Sequence, residues 1–360
     1  MSAADRVFLQ ACVELAEQGR ATCSPNPPVG CIIWRDGKVL GRGFHKRAGD
    51  GHAEVNALRQ AGADVRGASV YVSLEPCSFV GRTPACAQTL IDAGVARVVV
   101  AAVDPNPQVS GRGITMLQQA GIVVDVIELQ SAERCIQGFA SRITRSRPFV
   151  RLKTAASLDG AVALSNGASQ WITAAGARAD VQYWRARSDA IITGVGTVIG
   201  DDCKLTVRDP LYSEADPPLR VVLDSRGRTP KNAKVLDDQA PTLLVHQAGN
   251  PGVELPAATS VQQAYLPTGP KDLTAVLANL AEGGCNEVLV EAGPGVIGSF
   301  VRAGLWDEWI AYIAPQLLGA DSQSVTDLAL NQLSEAPRAW LVETTQIGDD
   351  LRLTLRPRED

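Results

Sequence analysis

Residues 49–86 read GDGHAEVNALRQAGADVRGASVYVSLEPCSFVGRTPAC, and the rest of the chain is organised around them. His52 and Glu54 stand two apart, Cys77 follows Pro76, and Cys86 closes the segment. One imidazole and two thiolates suit a single Zn²⁺ whose fourth position stays open to water. Water held there has its pKa lowered to about 7 and attacks as hydroxide. Glu54 need not be a ligand. It can take the water's proton and pass it to a leaving group. The alternative is a closed structural zinc site, or no metal. A closed site needs a fourth Cys or His, and of the three His in the chain only His45 is a nearby spare.

Working outward, a chain of 360 residues exceeds a usual single domain, so two are expected. No apolar run reaches the length of a membrane span. Residues 1–19, with acids among their apolar positions, read as an amphipathic helix and not as a signal peptide. The eight cysteines are scattered, which points to reduced thiols and a cytoplasmic setting. The net charge is −5, and neither half holds a dense basic tract. Charge therefore disfavours nucleic acid as a partner, whereas a small anionic substrate is not disfavoured, and no nucleic-acid partner is expected.

Apolar spacing predicts a helix over 5–18, a hairpin of strands 29–34 and 39–44 turning at Asp36-Gly37, and a helix from His52. A strand follows over 69–74. Pro84 suits the first turn of a helix over 85–93. Strand 97–102, helix 114–120, strand 122–127 and helix 132–145 continue the alternation, which implies a three-layer α/β/α domain. TRSRP at 144–148 reads as a linker dividing domains 1–146 and 147–360. Beyond it come strand 149–157, helix 176–187, strand 189–193 and a Gly-rich turn with paired acids over 194–208. Strands 220–224 and 242–246 follow. Residues 249–270 read mostly as connection. Helix 273–282, strand 287–291 and strands 308–314, 339–347 and 351–356 complete an α/β domain. Gly-containing turns after strands, GVGTVIG from Gly194 and EAGPGVIGS from Glu291, can present backbone N–H groups to phosphate, or be ordinary tight turns. The Rossmann fingerprint is absent.

Zinc-dependent nucleobase deaminases carry H-x-E followed by P-C-x-x-C. Here the second half is P-C-x8-C, a variant. The two halves together resemble the RibD family of bacterial bifunctional riboflavin-biosynthesis enzymes. The resemblance rests on PNPPVG (25–30), GRGFHKRAGDGHAEVNAL (41–58), EPCSFVGRTPAC (75–86), DPNPQVSGRG (104–113), LKTAASLDG (152–160), SQWIT (169–173), GVGTVIGDDCKLTVR (194–208), VLDSRGRTP (222–230), EAGPGVIGSF (291–300) and APQLLG (314–319). These span nearly the whole chain in order, and the long cysteine spacing is a family trait.

The resemblance implies a cytidine-deaminase-like domain followed by a dihydrofolate-reductase-like domain. It implies zinc-dependent deamination of 2,5-diamino-6-ribosylamino-4(3H)-pyrimidinone 5′-phosphate. NADPH then reduces the ribosyl group of the resulting uracil ribotide to ribityl. One Zn²⁺ would lie on His52, Cys77 and Cys86, with Glu54 shuttling protons. Asn26, His45 and Arg82 would touch the deaminase substrate, although Asn26 also reads as a turn cap and Arg82 as a solvated loop charge.

In the second domain the resemblance implies cofactor contacts from Ala155, Trp171, Thr197, Asp201, Ser225 and the turn Gly293, Pro294, Gly295, Val296, Ile297, Gly298 and Ser299. Ser169, Arg185, Leu205, Arg208 and Glu291 would contact substrate, the arginines suiting phosphate. Lys153 would assist protonation as the ribosyl ring opens, or be a surface strand lysine. Trp171 by itself reads as a core aromatic. Two departures stand out. Phe79 occupies the place of a usual His in EPCSH, and Cys203 that of a usual Pro. A deaminase half impaired by Phe79, or a nucleotide deaminase of other specificity with an appended reductase-like domain, is the alternative. Separate sites on rigid domains suit a homo-oligomer.

Overall fold

The computed structural model describes residues 3–62, 65–79, 85–255 and 260–358. It separates into two compact units, Met1–Ser146 and Arg147–Asp360.

The first unit runs α1 (Ala3–Glu17), β1 (Gly30–Arg35), β2 (Lys38–Phe44), α2 (Ala53–Ala61), β3 (Ser69–Val72), α3 (Cys86–Asp92), β4 (Arg97–Val100), α4 (Arg112–Gln119), β5 (Val123–Val126), α5 (Gln130–Cys135) and α6 (Gln137–Arg145). Its sheet has the order β2-β1-β3-β4-β5. Asp36 and Gly37 both hold positive φ, 50° and 81°. That geometry lets a two-residue turn follow the strand twist and close the β1–β2 hairpin. Successive strand residues face opposite sides. Cys31 and Ile33, Val70 and Val72, and Val98 and Val100 meet Ala57, Leu90 and Leu117 of α2, α3 and α4. Between them Ile32, Tyr71 and Val99 meet Leu9, Cys12, Ala132 and Cys135 of α1 and α5. The result is a sheet with helices on both faces. The single helix expected over 132–145 is two helices instead. Ile136 leaves helical geometry (φ −101°, ψ 8°), and Gly138, a poor helix former, lies just beyond it.

The second unit runs β6 (Phe149–Ser157), β7 (Ala161–Ala163), α7 (Ala175–Ala186), β8 (Ala190–Gly194), α8 (Val195–Asp201), β9 (Leu219–Leu223), β10 (Thr242–Gln247), β11 (Val261–Leu266), α9 (Leu273–Glu282), β12 (Glu287–Glu291), α10 (Pro294–Arg302), β13 (Glu308–Ala314), β14 (Gln323–Ser324), β15 (Ala339–Ile347) and β16 (Asp350–Pro357). The main sheet has the order β11-β10-β9-β8-β12-β6-β13-β16-β15. Pairing is parallel from β11 to β13 and antiparallel at β16 and β15. Two expectations are corrected here. The stretch after Gly194 is helix α8 and not a turn, its Val195 and Val198 buried despite two glycines. Residues 261–266, read as connection, form strand β11, whose parallel pairing with β10 holds a polar sequence in the sheet.

Under this sheet Arg151 is fully buried, 2.9 Å from Glu287 and 2.7 Å from Glu308. A buried charge of this kind is tolerated only when paired. It thereby pins β6 to both flanking strands.

Candidate functional site

In the first unit, backbone contact between β2 and α2 sets the centre. A Cβ on Gly41 would lie 2.2 Å from the Ala57 carbonyl oxygen, and one on Gly43 would lie 2.4 Å from that of Ala53. Only glycines allow α2 this close. The helix therefore starts at a fixed place, with His52 as its extended N-cap and Glu54 in its first turn. Cys86 opens α3, and its backbone N–H donates to the Cys77 sulfur at 3.3 Å.

His52 Nδ1 lies 3.2 Å from Cys86 Sγ and 3.6 Å from Cys77 Sγ. All three donor atoms lie within 4.8 Å of one another. Bond lengths of about 2.0 Å to nitrogen and 2.3 Å to sulfur, at tetrahedral angles, put N and S about 3.5 Å apart. The donor set and its spacing therefore fit Zn²⁺. The Cys86 thiol, His52 and the Cys86 amide lower the Cys77 thiol well below its ordinary value, while the same pairing and burial raise Cys86, so the two sulfurs share a proton that a bound metal would displace. His45, the spare imidazole, is otherwise engaged. Its Nδ1 faces the Gly51 carbonyl at 3.3 Å and its Nε2 faces Asn26 Nδ2 at 3.0 Å. A carbonyl only accepts, so Nδ1 carries the proton and Nε2 accepts from Asn26. Burial keeps this ring below the ordinary imidazole value, consistent with that neutral tautomer.

Glu54 is buried and bonded to the Cys86 thiol. Burial, assisted by Cys77, pushes its carboxyl up to about 7. Such a group gains and loses a proton readily near neutrality.

A cavity of about 470 Å³ opens onto these groups. Asn26, His45, His52, Glu54 and Cys77 border it, and so does Phe79, whose ring is more than half exposed. The sequence reading named no role for Asp104, Asn106, Val109 or Phe139, which also line it. DPNP at 104–107 was the available signal. Arg82 and Pro84 lie outside the described residues.

In the second unit the chain passes from β8 outward through β9, β10 and β11, then returns to β12 on the other side of β8. Ligands of parallel sheets bind at the carboxyl ends of strands where the order reverses in this way. Gly194 ends β8 and Glu291 ends β12. A Cβ on Gly194 would meet Val296 at 2.9 Å, and the Gly293 N–H donates to Thr197 Oγ1 at 3.2 Å. The starts of α8 and α10 therefore converge at the reversal, with Gly293 as N-cap and Pro294 in the first turn. Ser225 follows the end of β9, and Ala155 lies on β6 opposite Tyr312. Ser169 hydrogen-bonds Asp201.

Lys153 pairs in register with Glu291 on one side and Ile310 on the other. Its Nζ stands 6.0 Å from the Tyr312 ring. Glu291 accepts from Arg185 Nε at 2.6 Å and from Nη2 at 2.8 Å, while Arg185 Nη1 donates to the Thr206 carbonyl at 3.0 Å. The fork expected to hold phosphate is thus spent on Glu291 and Thr206. Arg208, two residues on, is exposed. Burial holds the Lys153 ammonium below the ordinary lysine value against the pull of Glu291. Leu205 is buried with a left-handed backbone, φ 52°. Trp171 is not a core aromatic. It is 68% exposed, with the Arg178 guanidinium 4.6 Å from its ring centroid.

Residues 2–102 match the family described as the cytidine and deoxycytidylate deaminase zinc-binding region, and residues 148–353 match the RibD C-terminal domain. The riboflavin biosynthesis protein RibD of Escherichia coli K12 is 43% identical over 98% of this chain and 99% of its own. That of Haemophilus influenzae is 42% identical over 99% and 98%. Among solved structures, Acinetobacter baumannii RibD superposes with a TM-score of 0.89 at 40% identity, covering 99% of both chains. A Thermotoga maritima diaminohydroxyphosphoribosylaminopyrimidine deaminase/5-amino-6-(5-phosphoribosylamino)uracil reductase gives 0.90 at 32% identity, covering 98% of this chain and 99% of that one.

Proposed function

The chain belongs to the RibD family of bifunctional riboflavin-biosynthesis deaminase/reductases, and from that premise we propose its substrates and the residues that handle them. The first unit hydrolyses the ring amine of the diaminopyrimidinone ribotide to release ammonia. The second reduces the ribosyl group of the resulting 5-amino-6-(5-phosphoribosylamino)uracil. The observation that carries the reading is the Glu54 carboxyl against the His52, Cys77 and Cys86 donor set, with Glu54, His52 and Cys77 at the wall of one cavity.

Zinc held by those three residues would supply Lewis acidity toward water. Glu54 is placed to take a proton from the attacking water and return it to the departing nitrogen. Burial raises this carboxyl above the ordinary glutamate range, which favours its holding a proton between the two transfers. Asn26, oriented by His45, offers its amide oxygen to a donor on the pyrimidine ring. Phe79 presents an apolar face where the resemblance leads one to expect a polar contact, so the metal chemistry stands and ring affinity changes.

In the second unit NADPH supplies the hydride. The α10 N-terminus, with Gly293 to Ser299, faces the strand-order reversal and suits its phosphates. Thr197, Asp201, Ser225, Ala155 and Trp171 complete the cofactor side. Ser169, Leu205 and Arg208 serve the substrate. Lys153, poised by Glu291 and Arg185, donates a proton as the ribosyl ring opens. The test supplies the diaminopyrimidinone ribotide with and without NADPH. Ammonia release is expected without NADPH, and NADPH oxidation only once deaminated product exists. NADPH oxidation with no zinc-dependent ammonia release would refute the deaminase half.

Eight free cysteines suit a reducing compartment, and we place the enzyme in the cytoplasm. Among the described residues no helix is long and apolar enough to cross a membrane. A homo-oligomer is the further part of this reading. Leu341, Leu355 and Trp309 pair across β15, β16 and β13, as do Leu353 with Ala311 and Leu351 with Ile313. Leu341 and Leu351 are exposed on this face. Arg352 and Tyr312, on the opposite face, bind Asp180 of α7. A second copy covering the apolar face explains its composition. Light scattering should show an oligomer that Leu341→Glu with Leu353→Glu converts to monomers. An unchanged mass would remove this face from the interface.

A further inference from the structure

The buried carboxylate of Glu75 has no part in the chemistry above, yet it makes more backbone contacts than any group around the cavity that the chemistry uses. Its Oε2 accepts from the Gly111 N–H at 2.9 Å and the Asp104 N–H at 3.2 Å. Its Oε1 accepts from the Gly113 N–H at 2.9 Å and the Ile114 N–H at 3.3 Å. Glu75 lies two residues before Cys77, and its own N–H donates to the Ala102 carbonyl at 2.9 Å. One carboxylate therefore ties the metal-bearing loop to both ends of the 104–111 loop, the far end through Gly111 and the first turn of α4.

That loop forms part of the cavity wall through Asp104, Asn106 and Val109. Its interior is fixed by short local bonds. Asp104 Oδ1 accepts from the Asn106 N–H at 2.8 Å, and Asn106 Oδ1 from the Gln108 N–H at 3.0 Å. The loop is thus locally rigid, and its placement depends on its two ends. Just past one end, in the first turn of α4, Gly113 lies so close that an added Cβ would stand 1.9 Å from the Pro76 carbonyl oxygen. The chain has made room for this contact between the loops.

We propose that Glu75 is a positioning residue for deamination, setting the distance between the metal-bearing loop and the wall that carries Asn106. It rests on the deaminase reading of this site. An ionised carboxylate is acceptor-only, so each oxygen can serve two N–H donors. An amide cannot replace it. Whichever way a glutamine is flipped, its NH₂ faces two backbone N–H donors.

The experiment compares the full chain with Glu75→Gln and Glu75→Asp by hydrogen exchange of residues 104–114, zinc content and steady-state deamination. In Glu75→Gln, exchange in 104–114 should rise about tenfold or more. The KM for the diaminopyrimidinone ribotide should rise about tenfold with a smaller change in kcat. Zinc should remain at one per chain, and NADPH-dependent reduction of supplied uracil ribotide should be unchanged. Glu75→Asp keeps the charge and shortens the reach, so both effects should be intermediate. If the Gln variant does not fold, the Asp variant decides by the same readings. Unchanged exchange overturns the clamp, as does loss of zinc in place of a KM change. Faster exchange with an unchanged KM overturns the positioning role. A parent protein that releases no ammonia counts against the deaminase reading, and the exchange then decides the clamp by itself.

Discussion

Glu54→Gln should lower ammonia release by about 10²–10⁴-fold, the usual contribution of a positioned acid–base group. The substitution keeps the side chain's shape, so the neighbouring donors His52, Cys77 and Cys86 should still hold one zinc per chain. Reduction of supplied 5-amino-6-(5-phosphoribosylamino)uracil should proceed at the parent rate, because Lys153, Arg185 and Glu291 belong to the other compact unit. Removing the metal with a chelator should abolish the same activity and again leave reduction intact. Three measurements check this: zinc per chain, ammonia with saturating substrate, and NADPH oxidation with supplied uracil ribotide. A variant that loses both activities together would refute the separation of the sites. One that keeps ammonia release would remove Glu54 from the proton path.

The cluster of His52, Cys77 and Cys86 was legible because each sits where local signals mark an element boundary. The glycines before His52 and the cysteines flanking the 80–84 stretch are readable as spacing. The start of α2 was legible from GDG at 49–51, whereas the close backbone approach that Gly41 and Gly43 allow carries no signal in side-chain pattern. Glu75 was hidden for the opposite reason. Its partners are backbone N–H groups 29 to 39 residues away, and backbone groups leave no trace in side-chain patterns. Asn106 and Phe139 were missed because the cavity wall is assembled from segments distant in sequence.

In the second unit the misreadings have local causes. Glycines at 196 and 200 lower helix propensity in α8, yet packing of Val195 and Val198 against the sheet overrides them. Strand β11 carries Gln262 and Gln263 where apolar alternation would have marked it, and its pairing with β10 supplies the hydrogen bonds instead. Trp171 was read as core from residue type alone. Its exposure, with the Arg178 guanidinium over its ring, shows that residue type alone does not decide burial.

The pair Arg185 and Glu291 tests whether this crevice is more than a scaffold. Arg185→Met leaves the buried Glu291 carboxylate without its partner, and breaking such a pair costs about 3–5 kcal/mol. Burial alone would push Glu291 up; the Arg185 pair is what brings it below its ordinary value. In the single variant the carboxyl should therefore become protonated at a higher pH, and Lys153 should lose a charged neighbour. Thermal unfolding of the second unit should move down by about 10 °C, and NADPH oxidation should fall below detection. Arg185→Met combined with Glu291→Leu replaces both charges with apolar groups, which recovers most of the stability, because the buried Lys153, already below its ordinary value, sheds its proton more readily once Glu291 is gone. The double variant should unfold near the parent temperature and still fail to oxidise NADPH, since neither the carboxylate beside Lys153 nor the guanidinium remains. A double variant with parental kcat/KM would make the pair purely structural and would leave Lys153 to act without them.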